Sequence, residues 1–230
     1  MSLLINNELI WVSVPKCASF SIEAALLKSN LDIIQHSKAS KNKQRHTHIA
    51  LHILKEEFGD KKSICIKRDW FERWLSSLQY ILVNMNFAEE LIRKWEDVDN
   101  QFIYDTFTDE FTNKLHSGET NAESVCYNKF LKNKDEIIKF NKNPKSSMQH
   151  LATLFSQNHW KEDNKCDYEF DINELDKFAD FIEQRFGEKL IINKLNSNPK
   201  MQSKIIINDE LKSFVWDKFE KRYNKKNYLL

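Results

Sequence analysis

The sequence predicts an α/β fold with a mostly parallel central sheet flanked by helices, and three observations carry that reading. Short apolar runs alternate along the chain with longer stretches whose apolar residues recur at helical spacing. Only three glycines and three prolines occur in 230 residues, too few for a sandwich built on many tight turns. Two segments, Pro15–Ser21 and Arg68–Ser76, leave apolar strands and run straight into helices. In open α/β sheets, that carboxyl edge is where ligands sit.

The chain is organised around Trp11–Leu27. A strand is predicted from about Leu9 to Val14, broken at Pro15. Lys16-Cys17-Ala18-Ser19 and then Phe20 and Ser21 follow, and from about Ser21 the residues Ile22, Ala25 and Leu26 fall at helical spacing. Leu31–Ile34 reads as a short strand. Lys38, Lys41, Lys43 and Arg45 mark a basic loop without acids, which reads as a solvated loop and, alternatively, as a lip that attracts an anionic ligand. His46–Phe58 reads as a helix with Ile49, Ile53, Leu54 and Phe58 on one face and Gly59 as its stop. Ser63–Lys67 suits a central parallel strand, and the helix after it is expected to reach about Asn84.

Residues 83–148 read as a charged helical elaboration, with Leu91 and Trp95 on one helix and Val125, Phe130 and Ile137 on another. Cys166–Ile172 reads as a further strand. Asn173 is the expected cap of a helix carrying Leu175, Phe178, Ile182 and Phe186, with Gly187 as its stop. Leu190–Ile192 and a loop over Asn196–Lys200 precede a last helix from about Asp209 to Tyr223, with Leu211, Phe214, Val215 and Phe219 facing inward. The whole, residues 1–230, is expected to form a single domain.

A formal charge of +1 gives no global pull toward nucleic acid or an anionic membrane. Cys17, Cys65, Cys126 and Cys166 form no C-x-x-C pair and show no metal-ligand spacing, so no metal is expected. The opening MSLLINNEL lacks the pattern of a signal peptide, and no stretch approaches a membrane span; a cytoplasmic protein is expected. Oligomeric state is not legible.

The first loop converges backbone N–H groups, a helix N-terminus and the Lys16 cation on one spot, which suits a phosphate or sulfate. It is not a Walker A loop: the lysine comes first, directly after proline, and no glycine occurs. In the second segment, Arg68 at a strand end offers a planar fork to a phosphate, and Ser76 adds a hydroxyl on the helix that follows. Each segment alone also fits a plain structural role. Lys16 can be a solvated turn residue, and Arg73 can pair with an acid behind a helix-capping Asp69.

Together, in this order and spacing, Pro15-Lys16-Cys17-Ala18-Ser19-Phe20-Ser21 and Arg68-Asp69-x-x-x-Arg73-x-x-Ser76 resemble the two nucleotide motifs of sulfotransferases that use 3′-phosphoadenosine 5′-phosphosulfate (PAPS). His48, Asp167–Phe170, the helix to Gly187 and Leu195-Asn196-x-Asn198 resemble the carbohydrate (family 2) branch. The chain departs from the pattern at Ala18, Ser19 and Phe20, where glycines and a threonine are usual. It also departs at Trp70, which replaces a proline, and at Leu78, which replaces an aromatic.

The resemblance implies a P-loop-like fold and transfer of a sulfuryl group from PAPS to a hydroxyl or amine acceptor such as a carbohydrate, leaving the 3′,5′-bisphosphate PAP without any metal. It implies that Lys16, Cys17, Ala18, Ser19, Phe20 and Ser21 hold the 5′-phosphosulfate and that Arg68 and Ser76 hold the 3′-phosphate. Lys16 would neutralise the leaving oxygen, and His48, with His46 in reserve, would be the general base. Trp74, Tyr80 and Trp95 line an acceptor site or, more commonly for such residues, fill a core. The rival readings are a nucleotide kinase or NTPase, and a PAPS- or PAP-binding protein without catalysis.

Overall fold

The computed structural model describes residues 2–36, 48–84, 95–117, 152–161, 166–193 and 203–221. They fall into two compact units. One comprises Met1–Asp69 and Gln157–Ser197; the other comprises Trp70–Ser156 and Asn198–Leu230.

The first unit is α/β. Its strands are β1 (Leu3–Ile5), β2 (Leu9–Val12), β3 (Ile33–Gln35), β4 (Lys62–Lys67) and β5 (Tyr168–Asp171), in the order β3-β1-β2-β4-β5. The sheet is mixed. β2 pairs with β4 and β4 with β5 in parallel, whereas β1 pairs antiparallel with both β2 and β3. The sequence reading of a mostly parallel sheet therefore holds for the β2-β4-β5 half only. The other half is set by a hairpin at Asn6-Asn7, where both asparagines adopt positive φ (47° and 53°) and the Glu8 N–H closes onto the Ile5 carbonyl. Left-handed conformations at both central turn residues match the natural strand twist, and asparagine tolerates them.

β1, β2 and the middle of β4 are buried on both faces, which explains their unbroken apolar runs. Trp11 meets Phe178 at 5.7 Å between ring centroids, joining β2 to α7 (Leu175–Phe186). The other helices of this unit are α1 (Ser19–Lys28), α2 (Leu51–Phe58) and the short α6 (Asn158–Lys161). α7 ends at Gly187, which takes the left-handed conformation (φ 73°) that terminates helices.

The second unit is helical: α3 (Trp70–Asn84), α4 (Asn100–Thr106), α5 (Asp109–Ser117) and α8 (Asp209–Val215), which widens into a π-helical turn over Trp216–Glu220. Its core is aromatic. Trp74 contacts Phe107 and Phe219 at 5.6 and 5.5 Å, and Phe107 contacts Phe111 and Phe219.

Several expected boundaries shift. α1 starts at Ser19 rather than Ser21, and β2 stops at Val12 although Val14 stays buried. α2 starts at Leu51 rather than His46, so His48 lies before the helix and not on it. Asn173 is not the cap of α7: Asp171 caps a 3-10 turn over Ile172–Glu174, its carboxylate accepting from the Asn173 N–H, and Glu174 stands at the N-cap of α7 without a side-chain bond. The basic loop over Lys38–Arg45, His46, Leu91, Cys126, Val125, Phe130, Ile137, Leu195–Asn198 and Tyr223 lie outside the described residues. Among the described residues, no helix is long and apolar enough to cross a membrane.

Candidate functional site

The site is built at the carboxyl ends of β2 and β4. These strands are parallel neighbours, with Val12 opposite Cys65, so the loop after β2 and the residue after β4 emerge at one edge of the sheet. The loop after β2 carries Lys16; the residue after β4 is Arg68.

β2 ends at Val12, and beyond Pro15 the chain turns through Lys16 (φ 64°) and Ala18 (φ 56°), with Cys17 between them outside the left-handed region. Positive φ at Lys16 and Ala18, directly ahead of a helix N-terminus, suits a turn that offers backbone N–H groups to an anion. Within it, the Cys17 N–H turns back to the Val14 carbonyl at 3.4 Å, and the Cys17 side chain is buried. Ala18 is the N-cap of α1 and offers no side-chain acceptor to the first turn. That turn contains Ser19, half-buried, Phe20, 38% exposed, and Ser21, buried.

The Lys16 ammonium is held at a cost to its charge. Burial first, and the neighbouring Arg68 cation second, lower its pKa from 10.5 to about 8, with Cys17 opposing in part. Arg68 is fixed through its backbone: the Gln157 side-chain amide donates to the Arg68 carbonyl at 2.9 Å and accepts from its N–H at 3.4 Å. Arg68 thus lies near enough to Lys16 to oppose its charge, and two cations at one sheet edge suit an anionic ligand.

His48 reaches the same strand end. Its Nδ1 lies 2.7 Å from the Ser13 carbonyl and 3.2 Å from the Ser13 hydroxyl. A carbonyl can only accept, so Nδ1 donates to it, and in the neutral ring the lone pair then lies on Nε2. The Ser13 hydroxyl in turn donates to the buried Glu23 carboxylate at 2.6 Å. The His48 ring stands edge-on to Trp160 at 5.8 Å, and the buried Trp160 indole N–H has no acceptor among the described residues.

Arg73 takes a structural place. It is fully buried in the helical unit, donates to the carbonyls of Thr153 and Phe155 at 2.7 and 2.6 Å, and faces Glu220 at 3.5 Å. Ser76 is half-buried on α3, in the same unit. Trp74, Leu78 and Trp95 are buried core residues; Tyr80 is half-buried, and burial raises its phenol above the usual range. Trp70, at the position of the usual proline, packs edge-on against Trp216 at 5.2 Å.

Sequence reasoning missed Ser13 and Gln157, which position His48 and Arg68, and Glu23, which holds Ser13. Glu23 alone left a trace, as an acid inside an otherwise apolar helical stretch. No protein-family model, curated protein or solved structure matches the chain.

Proposed function

We propose that the protein is a PAPS-dependent sulfotransferase acting on a hydroxyl or amine acceptor. The observation that carries the reading is the placement of Lys16 and Arg68 at the carboxyl ends of adjacent parallel strands, close enough for one cation to depress the other. The order of the two sequence motifs gives that cation pair its two phosphate-bearing ends. The turn at Lys16–Ala18 and the first turn of α1, with Ser19 and Ser21, take the 5′-phosphosulfate in a P-loop-like manner.

Arg68 takes the 3′-phosphate through its guanidinium; the part assigned to Ser76 rests on the sequence motif. His48 Nε2 accepts the acceptor's proton as its oxygen or nitrogen attacks sulfur. Lys16 meets the charge that grows on the bridging oxygen as PAP departs, a contact stronger in the transition state than before it. No metal step enters; positioning and charge stabilisation supply the rate.

Calorimetric titration with PAP, and separately with ATP and Mg²⁺, tests this. PAP is expected to bind at low-micromolar Kd or tighter, about −8 kcal/mol or stronger. ATP is expected to bind more weakly, and Arg68→Ala to weaken PAP by about ten-fold or more. Equal, weak binding of both nucleotides, or unchanged PAP affinity in Arg68→Ala, removes the 3′-phosphate assignment. Mg²⁺-dependent preference for ATP would favour a kinase instead.

A further inference from the structure

The sequence reading found no metal spacing because it looked for cysteines close together along the chain. The sheet brings two distant ones side by side. Cys65 lies in the middle of β4 and Cys166 just ahead of β5, and β5 pairs with β4 so that Cys65 stands opposite Glu169. The ligand-capable atoms of Cys65, Cys166 and Glu169 all lie within 4.8 Å of one another. We propose that Cys65, Cys166 and Glu169 form a binding site for a thiophilic divalent cation of the Zn²⁺ class.

The donor set is that of zinc, two sulfurs and one carboxylate oxygen, with a fourth position left for solvent or a ligand. Around a tetrahedral ion with Zn–S bonds of about 2.3 Å, ligand atoms stand roughly 3.8 Å apart. Closing from the observed spread takes shifts of about 1 Å or less. The charges also balance. A dication with two thiolates and a carboxylate carries one net negative charge, and the Lys161 ammonium beside it cancels that charge. Lys161 is itself buried, with its side chain 4% exposed, and donates to Glu169 Oε1 at 2.9 Å.

That contact orients the carboxylate from outside, leaving its second oxygen for the ion, as partners of metal ligands commonly do. Cys65 is fully buried, whereas the Glu169 side chain is 21% exposed, so the carboxylate side offers the way in. The site does not depend on the proposed sulfuryl chemistry.

The test is titration of the reduced full-length chain with Co²⁺, in a Cys17→Ser, Cys126→Ser background so that only these two thiols can respond. One equivalent is expected to give thiolate-to-cobalt charge-transfer absorption in the near ultraviolet and the visible bands of a tetrahedral ion. Zn²⁺ should displace it. Glu169→Gln is expected to weaken binding by about ten-fold or more while keeping the sulfur band. Cys65→Ser and Cys166→Ser should each lose the two-thiolate intensity.

Circular dichroism of these variants separates lost ligation from lost folding, and the wild-type spectrum decides the matter if a variant does not fold. Absence of the charge-transfer band in folded protein overturns the proposal. So does conversion of the two thiols to a disulfide by glutathione disulfide in a protein that binds no cobalt.

Discussion

Lys16 is charged where its surroundings resist charge, and its titration should expose that. With its pKa lowered to about 8, the folded protein binds this proton less tightly than the unfolded chain, whose lysine titrates near 10.5. Between those values the unfolded state holds more protons, so ligand-free stability contributed by this group rises with pH through that window and the penalty is greatest below it. A bound polyanion favours the charged form. PAP affinity is therefore expected to fall as pH rises above about 8, and Lys16→Arg, which stays charged, to flatten that limb in calorimetric titrations. A wild-type affinity independent of pH from 7 to about 10 would place Lys16 away from the anion. Ala18 offers a second handle. Its left-handed backbone and missing cap both disfavour alanine, so Ala18→Gly is expected to stabilise the protein by about 1 kcal/mol in urea unfolding. Phe20, 38% exposed, is not a core anchor, and Phe20→Thr should change stability by less than about 1 kcal/mol. The positions of Lys16 and Arg68 were legible because a cation a few residues past an apolar strand run is a local pattern. Ser13, Glu23 and Gln157 were not, because their roles exist only once β2, α1, α6 and the His48 segment meet.

At the scale of elements, the apolar runs of β2 and β4 and the stripes of α1 and α7 were readable because burial on one face or two leaves a periodicity. β1 was overlooked although Asn6-Asn7 between apolar runs is a hairpin signal, and with it went the antiparallel half of the sheet. The predicted start of α2 differs because hydrophobic spacing continues through Ile49, whereas Ala50 is extended and His48 ahead of it bonds the Ser13 carbonyl. The β4–β5 junction has its own clamp. Asp167 accepts from the Ser63 N–H and hydroxyl at 2.9 and 3.0 Å and from Lys62 at 2.7 Å. Burial alone would raise its carboxyl, but these bonds outweigh it and hold it below the usual range. A carboxylate depressed in this way stabilises the fold above its unfolded pKa and loses that contribution as pH falls through the folded value. Asp167→Ala is expected to cost about 2 kcal/mol at pH 7, with the gap to wild type narrowing in acid below pH 4, as measured by denaturant midpoints.

At the scale of the whole molecule, the chain leaves the α/β unit after Asp69, returns at Gln157 and leaves again after Ser197. The sequence reading drew a helical region over residues 83–148; the compact helical unit also takes in α3 from Trp70 and the segment from Asn198 onward, a return for which the sequence holds no periodic signal. Hydrogen exchange can map function onto this division. PAP is expected to slow exchange at Lys16–Ser21 and around Arg68, and to leave α4 and α5 unchanged; protection confined to α4 and α5 would move the nucleotide to the helical unit. The pairing of β4 with β5 has a consequence for synthesis. Ser63 meets an aspartate 104 residues later, so while the chain is being made β4 leaves the ribosome long before its second neighbour exists. Until then Ile64, Cys65 and Ile66 form an apolar, unpaired strand edge open to the wrong partner, in a topology whose long closure makes folding slow. Yield of native protein should therefore fall with faster translation and recover when holding chaperones are supplied, whereas refolding of the full chain from denaturant at high dilution escapes that window.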